Sequence, residues 1–372
     1  MSLINTRIQN IRAGSRLDKN ENRPSRYGAL DAFISMSEDG AGILTPEIKE
    51  KALNSIGSVL ETPVIDYRGG DISIGNTRTV TITGTENTSQ MLAITFATYS
   101  HGFTVVPALF KNNEISMQHD FETKLNAFIY KLAATLDTAA VAALAAAKTQ
   151  VIADDLNYTV VGNSIQCPWK NRENLIGDID PMMAANDFFN DIHVIGNAGI
   201  ESIIRKLAEK GLYNEVNKTL EYSDKILHFT TRIANAEGKF ATAYAVCGGN
   251  LGLLFRQERD AMMNTRSRDG HEWGVENLPL IGIPVGTYFY DTVEDANAIA
   301  GAATADLTRT VVEHYGFSVD IAFVVAYNSD PTTLASPIMK MEIASEAASD
   351  SLNVVIANTT DNPVITQEVA GS

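Results

Sequence analysis

The side chains able to do chemistry are few and scattered. The chain carries six histidines, at 101, 119, 193, 228, 271 and 314, and two cysteines, Cys167 and Cys247. The histidines form no cluster in the sequence. Neither thiol has a spaced Cys or His partner, so the pair makes neither a zinc site nor a disulfide framework and reads as two small buried residues. Asp154-Asp155 and Asp178-Ile179-Asp180 are the residue types that bind a hard cation, and in an acidic chain they read as solvated loops. His271-Glu272-Trp273 reads as an inert loop. Gly248-Gly249-Asn250-Leu251-Gly252 lacks the spacing of a phosphate-binding loop, and no acidic residue stands where a ribose would need it. There is no Gly-x-Ser-x-Gly elbow and no paired-His helix motif. The residues thus indicate no catalytic site, no cofactor and no metal. An enzymatic alternative would have to use Asp178, Asp180 and His193.

Charge is more informative than reactivity. The 372 residues carry a formal charge of −16 with 45% hydrophobic content, the composition of an ordinary globular protein. The sign is divided along the chain. Arg7, Arg12, Arg16, Lys19, Arg23 and Arg26 face only Asp18 and Glu21, whereas from Asp291 onward Arg309 and Lys340 stand against twelve acidic residues. A cationic arm on an anionic body favours head-to-tail attraction between copies. An acidic body is the wrong sign for specific duplex DNA recognition. No run approaches the roughly 20 uninterrupted apolar residues of a membrane span, and the start shows no apolar signal-peptide core.

The elements that would have to position any site follow in order. Residues 1–40 read as an extended arm, polar and without sustained periodicity, with Ile4, Ile8, Ile11 and Leu17 as apolar anchors. Thr45 and Pro46 open a short helix with Ile48, Ala52, Leu53 and Ile56 on one face and Gly57 as its stop. From Thr62 to Phe110 the period changes to two, with Thr79-Val80-Thr81-Ile82-Thr83 and Ile94-Thr95-Phe96-Ala97-Thr98-Tyr99 as arms of a long hairpin. Such a ribbon is marginal alone and calls for a neighbour to lie against.

Met117–Val151 carries the strongest pattern, with Phe121, Leu125, Phe128, Leu132, Leu136, Ala139, Ala143 and Ala147 as one stripe. It predicts a helix roughly 50 Å long. Beyond it, Ile192–Ile195 reads as a strand, and Asn197 caps a helix that ends near Gly211. Tyr222–Cys247 holds strands, Leu251–Met263 reads as a helix, and Leu280–Tyr290 as a strand pair broken by Pro284. Phe317–Tyr327 and Ile338–Ala344 close the chain as strands. The class is α+β.

This order resembles the tailed-bacteriophage major capsid proteins of the Hong Kong 97-like fold, which encapsulins share. Leu44-Thr45-Pro46-Glu47-Ile48 is similar to the helix that follows their arm. Phe121 to Leu144, with Leu132-Ala133-Ala134-Thr135-Leu136-Asp137 at its middle, resembles their spine helix. Leu280-Ile281-Gly282-Ile283-Pro284-Val285 resembles a Gly-x-Pro-Val strand entry, and Phe317–Tyr327 with Ser336-Pro337-Ile338-Met339-Lys340 the closing strands. The resemblance implies an N-terminal arm (1–40), a short helix and connection (41–61), an extended hairpin loop (62–112) and a peripheral domain with the spine helix (113–185). It implies further an axial domain (186–308) and return strands of the peripheral domain (309–372).

A major capsid protein is not an enzyme. It assembles with itself into hexamers and pentamers of an icosahedral or prolate shell enclosing double-stranded DNA. By this resemblance the protein would be made in the host cytoplasm and end in the virion capsid. Because the arm is too short to hold a built-in scaffolding segment, it would meet a separate scaffolding protein or else have been trimmed already. Portal and decoration proteins and packaged DNA by non-specific contact are further expected partners, with no membrane among them. Inter-subunit contacts would fall on Arg7, Arg12, Arg16 and Arg23 of the arm and on Val80, Ile82, Ile94 and Phe96 of the hairpin, an apolar face buried only against a neighbour. Some relatives join subunits by a Lys–Asn isopeptide bond. Lys111, Asn112 and Asn113 lie near the hairpin, and the expectation here is no cross-link. Alternatives are an encapsulin-like compartment holding cargo enzyme, the enzyme already described, and an adhesin or tail component.

Overall fold

The computed structural model describes residues 27–38, 43–55, 57–65, 89–110, 114–147, 157–185, 188, 191–210, 225–257, 267–268, 270–278, 282–295, 309–325 and 337–346. Helices and sheets are mixed, and the chain divides into two compact units, Met1–Ala143 with Gly249–Pro331 and Leu144–Gly248 with Thr332–Ser372. The segment 186–308 is therefore shared between the units at Gly248/Gly249, and 309–372 at Pro331/Thr332.

The first unit is built on a long helix under a sheet. Among the described residues the first element is α1 (Gly28–Glu38), followed by α2 (Pro46–Asn54), whose N-cap Thr45 accepts from the Ile48 amide as the sequence indicates. A two-stranded ribbon follows, β1 (Val59–Ile65) paired antiparallel with β2 (Ser89–Thr95). Among the described residues β3 (Ala97–Val105), a 3-10 turn (Pro107–Phe110) and the 34-residue α3 (Glu114–Ala147) come next. From the later chain come β9 (Leu251–Arg256), β10 (Ser267–Arg268), β11 (His271–Asn277), β12 (Pro284–Asp295) and the 17-residue β13 (Arg309–Val325). They form a sheet in the order β10-β11-β12-β13-β3, with β9 on the remaining length of β13.

Alternation decides what the sheet buries. Phe103, Tyr315 and Phe317 point to α3 and meet Phe121 and Phe128, with ring centroids of 4.8 Å for Phe121–Tyr315 and 5.0 Å for Phe128–Phe317. Edge-to-face and offset pairs of this kind add about 0.5–1.5 kcal/mol each beyond their area. The buried stripe of α3 follows the sequence through Phe121, Leu125, Phe128, Leu132 and Leu136. It then runs through Ala140 and Leu144, one position past the expected Ala139, Ala143 and Ala147, because a 3.6-residue turn drifts against repeated steps. Met117–Ala147 is long and apolar enough to cross a membrane by composition alone. Of its apolar window 44% is buried inside the structure.

Two readings of the sequence are corrected in this unit. The expected arm ends in a helix: Ala29, Leu30, Ala32, Phe33 and Met36 of α1 are buried. The fully buried Asp137 of α3 accepts from the Leu30 amide at 3.0 Å, placing a carboxylate at the α1 N-terminus. Residues 1–26 lie outside the described residues. Leu251–Met263 is not a helix where it is described: Leu251–Arg256 is β9, paired with β13 and buried on both faces. A short apolar run buried on both faces shows no period-two signal, which is why it reads equally as helix. Pro284 opens a single strand, β12, the position in a strand that costs no ladder bond.

The second unit has its own sheet, β4-β5-β14-β8-β6-β7, from β4 (Thr159–Val161), β5 (Ser164–Cys167), β6 (Ile192–Gly196), β7 (Ile226–Phe229), β8 (Lys239–Cys247) and β14 (Ile338–Ala344). Helices α4 (Leu175–Ala184) and α5 (Ala198–Lys210) pack on it around Ile165, Ile176, Val194, Ile203, Ala243 and Met341. Asn197 caps α5, its Oδ1 accepting from the Gly199 amide at 3.1 Å. Gly199 is required there, since a Cβ would come within 2.6 Å of the Phe240 carbonyl.

Candidate assembly surfaces

The ribbon β1–β2 joins no third strand among the described residues, and its root is fixed in two ways. The first is apolar: Leu60, Ile94 and Phe96 close a cluster with Leu44, Ala52, Leu254, Ala322 and Val324. The second is polar and centres on Arg256, the last residue of β9. Its Nε donates to Asp320 Oδ2 at 2.9 Å, and Nη1 donates to Ser55 Oγ at 2.9 Å and to the Ser55 carbonyl at 3.1 Å. Its Nη2 donates to the Gly57 carbonyl. The guanidinium lies 4.3 Å from the Phe96 ring centroid, and Asp320 also accepts from Thr98 Oγ1 at 2.6 Å.

A planar fork of fixed donors is needed to serve these acceptors at once, which an ammonium cannot do. Ser55 ends α2, and Gly57, at φ +112°, turns the chain into β1 through a conformation that favours glycine. One side chain thus ties the entry of the ribbon, its exit near Thr98 and the middle of β13. Among the described residues β1 pairs with β2 and with no other strand.

The burial of Ile94 (4% exposed) and Phe96 (6%) corrects the expectation for these two residues. Their apolar face is covered by α2, β9 and β13 of the same chain. Val59, on the opposite side of the root, is the apolar side chain left exposed. Val80 and Ile82 lie outside the described residues, as do Arg7, Arg12, Arg16 and Arg23 of the arm and Lys111, Asn112 and Asn113.

A second projection was not read from the sequence. β11 pairs with β12 as far as Phe289, and β3 pairs with β13 from Glu313 onward. Beyond those limits 292–295 and 309–312 pair with each other and, among the described residues, with no third strand. Val293 and Val311 stand opposite on this ribbon, 65% and 44% exposed. The consecutive β-branched residues Thr310, Val311 and Val312 were available as a strand signal, but composition cannot tell which face a ribbon leaves uncovered.

The residues of the enzymatic alternative take separate partners. Asp178 accepts from Tyr158 Oη at 2.5 Å. Asp180 pairs with the buried Lys225 at 2.5 Å. His193 stacks on His228, with centroids 5.4 Å apart and Nδ1 to Nε2 at 3.1 Å. This last contact corrects the reading that the histidines cluster with nothing: β6 and β7 are parallel neighbours, which a sequence separation of 35 conceals. Burial, then the facing His193, pushes the His228 pKa down to about 4. Among the described residues no three His, Cys, Asp or Glu side chains are grouped to hold a metal.

No family model matches the chain, and no curated protein matches it. Solved structures do. Microbacterium phage Oxtober96 matches at 13% identity and TM-score 0.45, covering 87% of this chain and 93% of that one. The capsid of an empty GTA particle matches at 11% identity and TM-score 0.41, covering 82% and 99%. The capsid of Myoviridae phage XM1 matches at 12% identity and TM-score 0.42, covering 82% and 90%. All three TM-scores lie below 0.5, where likeness does not establish a shared fold.

Proposed function

We propose that this chain is a shell subunit, the major capsid protein of a tailed bacteriophage with the Hong Kong 97-like arrangement of spine helix, extended hairpin, peripheral and axial domains. The observation that carries the reading is the β1–β2 ribbon. It is clamped at its root by Arg256 and an apolar cluster, and its two strands pair only with each other among the described residues. A two-stranded ribbon is marginal in water by itself, so its free length is completed by a second copy of the chain. The exposed Val293–Val311 pair supplies a further apolar contact of the same kind.

In this reading copies form hexamers and pentamers, each ribbon lying over its neighbour, in a shell around double-stranded DNA. Arg7, Arg12, Arg16 and Arg23 pair with acidic surface on another copy. Each exposed ion pair contributes about 0–1 kcal/mol, so the arm acts through multiplicity. The acidic body meets DNA only by non-specific contact, and a separate scaffolding protein, a portal and decoration proteins complete the particle in the host cytoplasm. The test is electron microscopy of the purified chain over a range of salt and concentration. Closed polyhedral shells or rings of five and six are expected; a chain that binds a small-molecule substrate and never forms rings overturns the proposal. Shells filled with an enzyme rather than nucleic acid would instead establish the encapsulin-like alternative.

A further inference from the structure

The face of the first unit's sheet that points away from α3 carries an open trough, and its chemistry is unlike the rest of the chain. The register sets it row by row. Trp273 stands opposite Tyr288, Tyr288 opposite Gly316, and Gly316 opposite Gly102. In the next row Gly286 stands opposite Ser318, and Ser318 opposite Ser100. Glycine and serine therefore make a floor over β13 and β3, beside an aromatic wall on β11 and β12. The trough encloses about 570 Å³, inside the ordinary range for a small-molecule site.

The wall is held in place. His271 Nδ1 and the Tyr288 hydroxyl are 2.5 Å apart, and Trp273 and Tyr288 rings sit 5.3 Å apart, tilted by 41°. Tyr290 continues the row and stacks on His314 at 4.4 Å.

We infer that this trough binds a neutral oligosaccharide. Three observations select that occupant. Among the described residues no Asp, Glu, Lys or Arg lines the trough, and His101 is its one imidazole, although the chain carries a net charge of −16; a charged ligand would find no carboxylate, ammonium or guanidinium there. The floor is the face of a hydrogen-bonded sheet, and the β13 backbone at its centre is already paired with β12 on one side and β3 on the other. An extended peptide laid there would leave its own backbone unsatisfied. A sugar presents C–H faces to aromatic rings and hydroxyls to hydroxyls, and Trp273, Tyr288, Ser100 and Ser318 offer both. Free sugar and the polysaccharide of a cell surface share this chemistry. The inference concerns the first unit alone and is independent of whether copies form a shell.

The test uses the full chain with Trp169→Phe, so that Trp273 is the one emitting tryptophan, titrated with cellotetraose, laminaritetraose and a proline-rich decapeptide. A saturable change in emission with a tetrasaccharide is expected, at the millimolar strength of about one or two stacked rings. Gly316→Leu, whose Cβ would meet Tyr288 at an ordinary 3.5 Å, fills the floor and weakens binding by at least about tenfold, the effect of losing one such contact. Tyr288→Ala, which removes the wall without filling the floor, does the same. Sugar binding untouched by both variants overturns the assignment, as does the absence of saturation with either sugar while the circular dichroism is native. Saturation by the decapeptide alone also overturns it and makes the trough a peptide site.

Discussion

Removing the guanidinium of Arg256 should loosen the ribbon root while leaving the rest of the first unit intact. Its side chain is 11% exposed and that of its partner Asp320 21%, so the pair is largely withdrawn from water. Arg256→Met keeps the packing against Phe96 but strands Asp320 with Thr98, and orphans the carbonyls of Ser55 and Gly57. Breaking a buried pair from one side costs roughly 3–5 kcal/mol, and the partial exposure of Asp320 puts this case near 3. Adding Asp320→Asn removes the uncompensated charge and should restore at least about 1 kcal/mol, the non-additivity of groups in one network.

Global unfolding is a poor reporter in a chain of two units. The assay is amide hydrogen exchange at Phe96, whose N–H donates to the Ser58 carbonyl at 2.7 Å across the root. Three kcal/mol corresponds to about a hundredfold faster exchange there. Exchange at Phe96 unchanged in Arg256→Met, or slowed by no measurable amount on adding Asp320→Asn, would refute the clamp.

Two further outcomes follow from the same geometry. His228 takes up a proton near 6.5 in the unfolded chain and near 4 in the folded one. The unfolded state therefore binds more protons between those values, and stability falls as pH drops from 6.5 towards 4, by about 3 kcal/mol in all. Thermal melts of the wild type and His228→Gln should diverge across that window, the wild type losing more; parallel curves contradict the buried pair. Val293→Thr with Val311→Thr should leave thermal stability within about 0.5 kcal/mol, because both side chains are exposed and threonine keeps the β-branch, yet weaken association measured by sedimentation. Unaltered association would remove this ribbon from the contact surface.

Local rules made much of the fold legible. Thr45-Pro46 fixed the start of α2, the 3.6-residue stripe located α3, and Asn197 placed the start of α5. The failures share one cause, which is that the deciding contact lies far away in sequence. α1 is a helix because Asp137, 107 residues on, caps it and β9 packs against it. β9 is a strand because β13 pairs along it. Ile94 and Phe96 alternate as a hairpin face should, but periodicity gives no sign of which chain covers that face. The trough was written in Gly286-Thr287-Tyr288-Phe289-Tyr290 and in Gly316, yet its floor exists only once β3, β12 and β13 are in register.

The central claim is that the ribbon completes itself on another copy. It is tested most directly by replacing 66–88 with a two-residue Asn-Gly turn between Ile65 and Ser89, which stand opposite in the ladder. Light scattering then compares this variant with the full chain. The account predicts large closed assemblies from the full chain and only small, folded species from the variant. Equal assembly by both, or none by either under any salt condition, would contradict it.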